Sequence, residues 1–216
     1  MKKSAVTLGS ALALTAATFA MLQAQDAPMA LPGQPDAGRV TAGTYSVDPA
    51  HTLVQFRVDH FGFNDYFGIF GDTTGTLQLD PANLSAATLD VSVPVASVTV
   101  ASEGLRDHLL RPGKDGGSPD FFGAAPAPAR FVSTAVYPLG PTEAAVTGNL
   151  TLNGVTKPVT ILAEFTGAGA SPMGGAETVG FHGRTTIMRS EFGVDYGVPM
   201  VSDEVELIIT AAFEKK

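Results

Sequence analysis

The sequence predicts an all-β, antiparallel fold of about eight strands, a barrel or a sandwich, with one short helical insertion. Three observations lead there. Apolar and polar residues alternate with a period of two in run after run, the mark of strands with one face turned inward. Turn signals punctuate the runs at Asp80-Pro81-Ala82-Asn83, Pro138-Leu139-Gly140-Pro141 and Asn153-Gly154. Only the stretch between about residues 102 and 123 breaks the pattern with helical spacing, so strand follows strand without the alternation of a parallel α/β sheet.

The chain opens with Met1-Lys2-Lys3 and a soft apolar run from Ala5 to Leu22. A basic start, a short apolar centre and small residues at its end read as a signal peptide over 1–24, so export to the periplasm is expected. Residues 25–43 are mostly Ala, Pro, Gly, Gln and Asp. Such a composition buries little apolar surface, and the segment reads as a flexible arm. The barrel domain is expected over 44–216.

The strands follow in order. Val54, Phe56 and Val58 share one face against Gln55, Arg57 and Asp59. A strand region spans Tyr66 to Gln78, with Leu77 and Leu79 alternating with Gln78 and Asp80. Leu89, Val91, Val93 and Val95 share a face. Phe131, Ser133, Ala135 and Tyr137 are expected on one face, opposite Val132, Thr134 and Val136. Leu150 and Leu152 follow, and Asn153-Gly154 is a strong hairpin signal because both residues tolerate positive φ. Val159, Ile161, Ala163 and Phe165 form the next face; Val179 to Met188 is a further strand. Val205, Leu207, Ile209, Ala211 and Phe213 close the series. In the insertion, Leu105 and Leu109 lie four apart and Ser102 is placed to cap the helix.

Composition excludes several function classes. There is no cysteine, hence no disulfide, thiolate metal site or cysteine nucleophile. The formal net charge is −8, and signal cleavage would remove two lysines more. Nucleic-acid binding needs basic surface to release counterions, so no nucleic-acid partner is expected. After the leader no apolar stretch approaches the ~20 residues of a membrane helix. No G-x-S-x-G elbow or phosphate loop is present. His51, His60, His108 and His182 show no metal-ligand spacing, and no metal or cofactor is expected. Asp107-His108 is the most suggestive pair for acid–base work, but neighbours on a helix point about 100° apart. The chain therefore reads as a non-enzyme. What remains is the aromatic concentration in residues 48–71, where Phe61, Phe63, Phe67 and Phe70 alternate with glycines. Glycine in a strand often marks a bend, as barrel corners require. A filled core or an apolar cavity both account for it.

Five blocks then carry a resemblance. They are YSVDPAHTLVQFRVDHFGF, FGIFGDTTGTLQLDP, LRDHLLRPGKDGGSPDFF, GNLTLNGVTKPVTI and RSEFGV. In this order, from about Thr44 to Lys216, the chain resembles the YceI-like family of periplasmic polyisoprenoid-binding proteins. The resemblance implies an eight-stranded, lipocalin-like antiparallel β-barrel with an apolar lumen. It implies a lipid ligand, an isoprenoid quinone or a polyprenyl phosphate, with fatty acids or fatty amides as the rival amphiphiles. A lipid-acting hydrolase using Asp107, His108 or Arg189 is a third alternative. Strand parity and the blocks together nominate Phe56, Phe67, Phe70, Leu105, Leu109, Phe122 and Phe192 for the cavity wall. His108 and Arg189 are nominated as donors to the ligand's polar end, with an Arg189–Asp107 ion pair as the competing role. The insertion departs from the family's blocks through Pro112-Gly113, Gly116-Gly117 and the Gly-Ala-Ala-Pro-Ala-Pro-Ala run after Phe122. Oligomeric state is left open, a homodimer included.

Overall fold

The structure is a computed structural model that describes residues 30–216. The expected signal peptide and the first residues of the arm lie outside the described residues. Ten strand segments run in chain order: β1 (Gly43–Val47), β2 (Leu53–His60), β3 (Asn64–Phe70), β4 (Thr74–Leu79), β5 (Thr88–Val93), β6 (Ala129–Pro138), β7 (Glu143–Leu152), β8 (Val155–Ala170), β9 (Glu177–Met188) and β10 (Glu204–Lys215). They form one antiparallel sheet in the order β1-β4-β5-β6-β7-β8-β9-β10-β2-β3.

A second pairing, β1 with β10, closes that sheet on itself. β2 and β1 lie end to end along β10, β2 against Glu206–Thr210 and β1 against Phe213–Lys215. β3 and β4 lie end to end in the same way against β2 and β1. Ten segments thus build eight staves, and the fold is the closed eight-stranded barrel that the sequence predicts. Closure leaves no long unpaired edge except along β3, where Ile69 bridges to Thr99 instead of to a full strand. The helical insertion fills this side. Its helix α1 (Glu103–Leu110) is capped by Ser102 Oγ, which accepts from the Leu105 amide at 3.2 Å.

Most of the parity expectations hold. Val54, Phe56, Val58; Leu89, Val91, Val93; Val159, Ile161, Ala163, Phe165; and the whole series Val205 to Phe213 all face inward. β6 differs. The register slips between Ser133 and Ala135, so Phe131 and Val136 face the lumen while Tyr137 is 58% exposed. One extra residue in a strand moves every later side chain to the other face. The β7–β8 hairpin turns through Asn153 (φ 52°) and Gly154 (φ 79°), the primed turn that Asn-Gly favours.

The arm is a correction. Residues 34–41 of the expected flexible segment lie against the barrel. Gln34 exchanges both backbone hydrogen bonds with Ala168, at 3.0 and 2.9 Å. Gly169 leaves room for this strap: a Cβ there would lie 2.0 Å from the Pro32 carbonyl oxygen. Val40 is buried among Tyr45, Val47, Leu77, Ala168, Val179 and Phe213. Composition misjudged the segment because backbone pairing needs no apolar side chains, and a single valine supplies the anchor.

Candidate functional site

The inward faces enclose a cavity of about 1010 Å³, at the upper end of the ~300–1,000 Å³ usual for ligand pockets. Its wall is almost wholly apolar. Every stave contributes, and the insertion adds Leu105, Leu109, Phe121 and Phe122. The aromatic pair Phe56 and Phe70 stands 5.7 Å apart between ring centroids, and Phe122 meets Phe70 edge-on at 6.3 Å.

Two glycines explain why the lumen stays hollow. Gly68 is the cross-strand partner of Phe56, and a Cβ there would come within 2.3 Å of the Phe56 ring. Gly148, the cross-strand partner of Ser133, lies diagonally under the Phe131 ring, and a Cβ there would come within 2.5 Å of it. Each ring lies over a glycine on the sheet. Each then covers the wall with apolar surface without standing across the lumen.

Of the nominated wall residues, Phe56, Phe70, Leu105, Leu109 and Phe122 line the cavity, and His108 joins them. Phe67 does not. It is 47% exposed, outside the barrel opposite Arg57. Phe67 and Phe70 have opposite parity, so a regular strand cannot turn both inward. Phe192 is 1% exposed but packs behind Ile187 and Val205, outside the lumen wall. It is core beneath the β9–β10 connection.

Arg189 lines the cavity, and it is not paired with Asp107. Its guanidinium is buried and donates to four backbone carbonyls: Ser202 from Nε at 2.8 Å, Val194 and Tyr196 from Nη1 at 2.8 and 2.9 Å, and Val201 from Nη2 at 2.9 Å. Four of its five N–H donors are therefore spent on the β9–β10 connection. Burial pulls its pKa down, opposed by the charges of Asp203 and Asp195. The next residue completes the clamp. Ser190 donates to Asp203 from its amide at 2.8 Å and from its hydroxyl at 2.6 Å. This is the physical content of the Arg-Ser pair in RSEFGV.

Asp107 is exposed, its side chain makes no hydrogen bond or ion pair among the described residues, and it does not line the cavity. Asp120 does the work at this end. It accepts from His108 Nε2 at 2.7 Å and from Arg111 Nη2 at 2.6 Å. Those two donors, Arg111 first, hold the Asp120 carboxyl below its ordinary pKa. The His108 ring also meets Phe121 and Tyr196 edge-on, each at 5.1 Å. His108 thereby joins α1, the return loop at 120–122 and the β9–β10 connection. Among the described residues no histidine is hydrogen-bonded to a hydroxyl, and no cluster of potential ligands is arranged to hold a metal.

Tyr66 and Thr73 are among the lining residues that escaped the sequence reading. Both belong to the cavity lining, and among the described residues the hydroxyl of each is buried without a hydrogen-bond partner. Thr73 sits at the break between β3 and β4. There Asp72 takes φ 54°, and inward parity passes from Tyr66 and Phe70 to Thr73 and Leu77. Tyr66 was legible, since it shares parity with Phe70; the shift at Asp72 was not.

Comparisons with known proteins agree with this architecture. The family model of the YceI-like domain matches residues 45–213. A UPF0312 protein of Azotobacter vinelandii is 38% identical over 177 residues, covering 81% of this chain and 88% of its own. One from Pseudomonas aeruginosa has the same identity and coverage. Among solved structures, Burkholderia cenocepacia BcnA superposes with a TM-score of 0.63 at 26% identity, over 77% of this chain and 98% of its own. The Campylobacter jejuni YCEI protein gives 0.60 at 28% identity, over 73% and 90%. A polyisoprenoid binding domain from Saccharophagus degradans gives 0.56 at 12% identity, over 80% and 98%, a likeness of fold. With a closed barrel, a hollow lumen and a family match over most of its length, the chain belongs to the YceI-like domain family.

Proposed function

We propose that this protein binds an isoprenoid lipid in its lumen and carries or stores it in the periplasm without transforming it. The observation that carries this reading is the cavity of about 1010 Å³ with an almost wholly apolar wall. Each buried methylene contributes about 0.8 kcal/mol, so one five-carbon prenyl unit contributes roughly 4 kcal/mol. A few units offset the cost of association with little help from polar contacts. The fold shared with the Saccharophagus degradans polyisoprenoid binding domain points the same way. A hydrolytic role has no support in the geometry, because no hydroxyl is hydrogen-bonded to a histidine among the described residues and Asp107 lies off the cavity.

Organic extraction of the purified protein, followed by mass spectrometry, tests the proposal. A prenyl-chain lipid near one equivalent per chain is expected. Fatty acids or fatty amides in its place would favour a general amphiphile binder. A lumen that takes up no lipid even on addition of long-chain prenyl compounds would overturn it.

A further inference from the structure

Resting on the lipid-binding reading, we propose that the end of the barrel formed by the β2–β3 turn and the β9–β10 connection docks on a zwitterionic lipid surface, with Phe63 entering that surface. The cavity then opens onto the bilayer, and its ligand enters without crossing water.

Phe63 is 88% exposed, more than any other large apolar side chain among the described residues. It stands in the turn between β2 and β3, and the β9–β10 connection lies against that turn. The Phe61 amide donates to the Met200 carbonyl at 2.8 Å, the Ser202 amide donates to the Asp59 carbonyl at 3.0 Å, and His60 bridges to Val201. Phe61, Tyr196 and Met200, each roughly half exposed, thereby gather with Phe63 at one end of the barrel. A cluster of large exposed apolar side chains marks a surface that something else covers. Phe61, Tyr196 and Met200 also line the cavity, whereas Phe63 does not. The cluster is therefore the rim of a mouth, continuous with the apolar lumen, and Phe63 projects beyond it.

The backbone of the turn suits a medium poor in hydrogen bonds. Phe61 (φ 60°) and Gly62 (φ 69°) are both left-handed, where asparagine and glycine are favoured and phenylalanine is an outlier. Strain of this kind is held by its surroundings and gathers at functional sites. Three successive amides are satisfied within the chain: Phe61 by Met200, Gly62 by Asp59 Oδ1 at 2.7 Å, and Phe63 by the His60 carbonyl at 3.2 Å. In the facing loop Val198 donates to Asp195 and Val201 to Gly197, and Pro199 has no N–H. Backbone that enters a bilayer must be satisfied internally, whereas a peptide partner that pairs with main chain would need these amides free.

Charge selects the kind of lipid surface. Residues 57–66 and 189–204 hold two arginines and no lysine. Arg57 is paired with Asp65 at 2.8 Å and Glu206 at 3.2 Å, and Arg189 is buried on backbone carbonyls. These segments offer no unpaired lysine or arginine to an anionic headgroup, and the formal net charge of the chain is −8. Adhesion comes from apolar insertion of Phe63, with Tyr196 placed for the interfacial zone that suits an aromatic ring with a polar tip.

The test is flotation of the protein with phosphatidylcholine vesicles, together with uptake of a prenyl quinone carried by those vesicles. Wild type is expected to float with the vesicles, in molar salt as well as in dilute buffer. Phe63→Asp should weaken vesicle binding about tenfold and slow quinone uptake by a similar factor. Leu139→Asp, on the exposed β6–β7 hairpin at the opposite end, should change neither. Phe63→Asp should melt like wild type and bind quinone delivered in detergent equally well, because Phe63 is exposed and off the cavity. Phe63→Ser serves as a second variant should the aspartate disturb folding. Vesicle binding by both Phe63 variants equal to wild type, or wild-type binding that is lost in molar salt, overturns the proposal while the lipid-binding reading stands. So does a wild-type dimer that ignores vesicles and falls apart in Phe63→Asp, which would make the cluster an interface between copies. A lumen that stays empty even when prenyl quinone is delivered in detergent removes the lipid-binding reading, and this proposal with it.

Discussion

Glu177 accepts a hydrogen bond from the Thr41 amide at 2.7 Å, joining two residues 136 positions apart. The Thr41 hydroxyl donates to its other oxygen at 2.6 Å, and the Tyr45 hydroxyl lies 2.5 Å from Oε1. Burial works to raise the Glu177 pKa, but the bonds from Thr41 and Tyr45 and the charge of Lys215 bring it below its ordinary value. The same arrangement, burial first and then Glu177, pushes the Tyr45 phenol up to about 12. Here the strap is fastened to the barrel.

A chain that begins at residue 42 should therefore be less stable than one that begins at residue 32. Burial of Val40 contributes about 1.5–3 kcal/mol, and the bonds to Glu177 and Ala168 add to it. Comparing urea midpoints of the two chains measures the difference. Equal midpoints would mean that the strap contributes nothing to the fold. Glu177→Gln in the longer chain should lose only part of that difference, since an amide oxygen still accepts from Thr41.

Arg189→Lys should behave nearly as badly as Arg189→Ala. An ammonium is a point donor and does not span four carbonyls set around a planar fork. Hydrogen bonds to a charged group contribute about 1.5–3 kcal/mol each, so a loss on the order of 3 kcal/mol or more is expected for both. Chemical denaturation reads it. If Arg189→Lys retains wild-type stability while lipid binding falls, the side chain contacts ligand after all.

Phe67 and Phe70 make a paired test of the cavity wall. Phe67→Glu places a charge on the outer face, next to Arg57, and should leave bound lipid unchanged. Phe70→Glu places one between Phe56 and Phe122 and should abolish lipid co-purification, with the barrel's circular dichroism retained. Loss of lipid in the first variant rather than the second would invert the assignment of faces.

Those two residues also show how far the sequence reaches. The barrel was legible because period-two alternation survives in β5, β7, β8 and β10, and parity alone turns Val54, Phe56 and Val58 inward. What was hidden lies at the irregularities. The slip at Ser133–Ala135 sends Tyr137 outward, and the turn at Asp72 brings Thr73 inward; neither is encoded in an alternation count. The clamp at Arg189 was hidden for another reason. A charged residue reads as a surface or ligand group, and nothing local shows that four carbonyls from residues 194–202 surround it. Asp120 was legible only as part of a block, because its partners His108 and Arg111 are 12 and 9 residues away.

Acid should loosen the β9–β10 connection before it unfolds the barrel. The Asp203 carboxyl is held below its ordinary pKa by the bonds from the Ser190 hydroxyl and amide, with a smaller contribution from Arg189. A carboxylate depressed in the folded state contributes stability that is fully present above its unfolded pKa, about 4. That contribution is lost as pH falls below about 4, through the folded value, because only the ionised form accepts from both Ser190 donors. Asp120 follows the same sign through Arg111 and His108. Hydrogen exchange, corrected for intrinsic rates, should show residues 189–203 and α1 losing protection between pH 5 and pH 3 while β7 and β8 keep theirs. Asp203→Asn should already show the loosened 189–203 segment at pH 5, with α1 unaffected. Uniform protection of wild type across that range would show that neither carboxylate governs these segments.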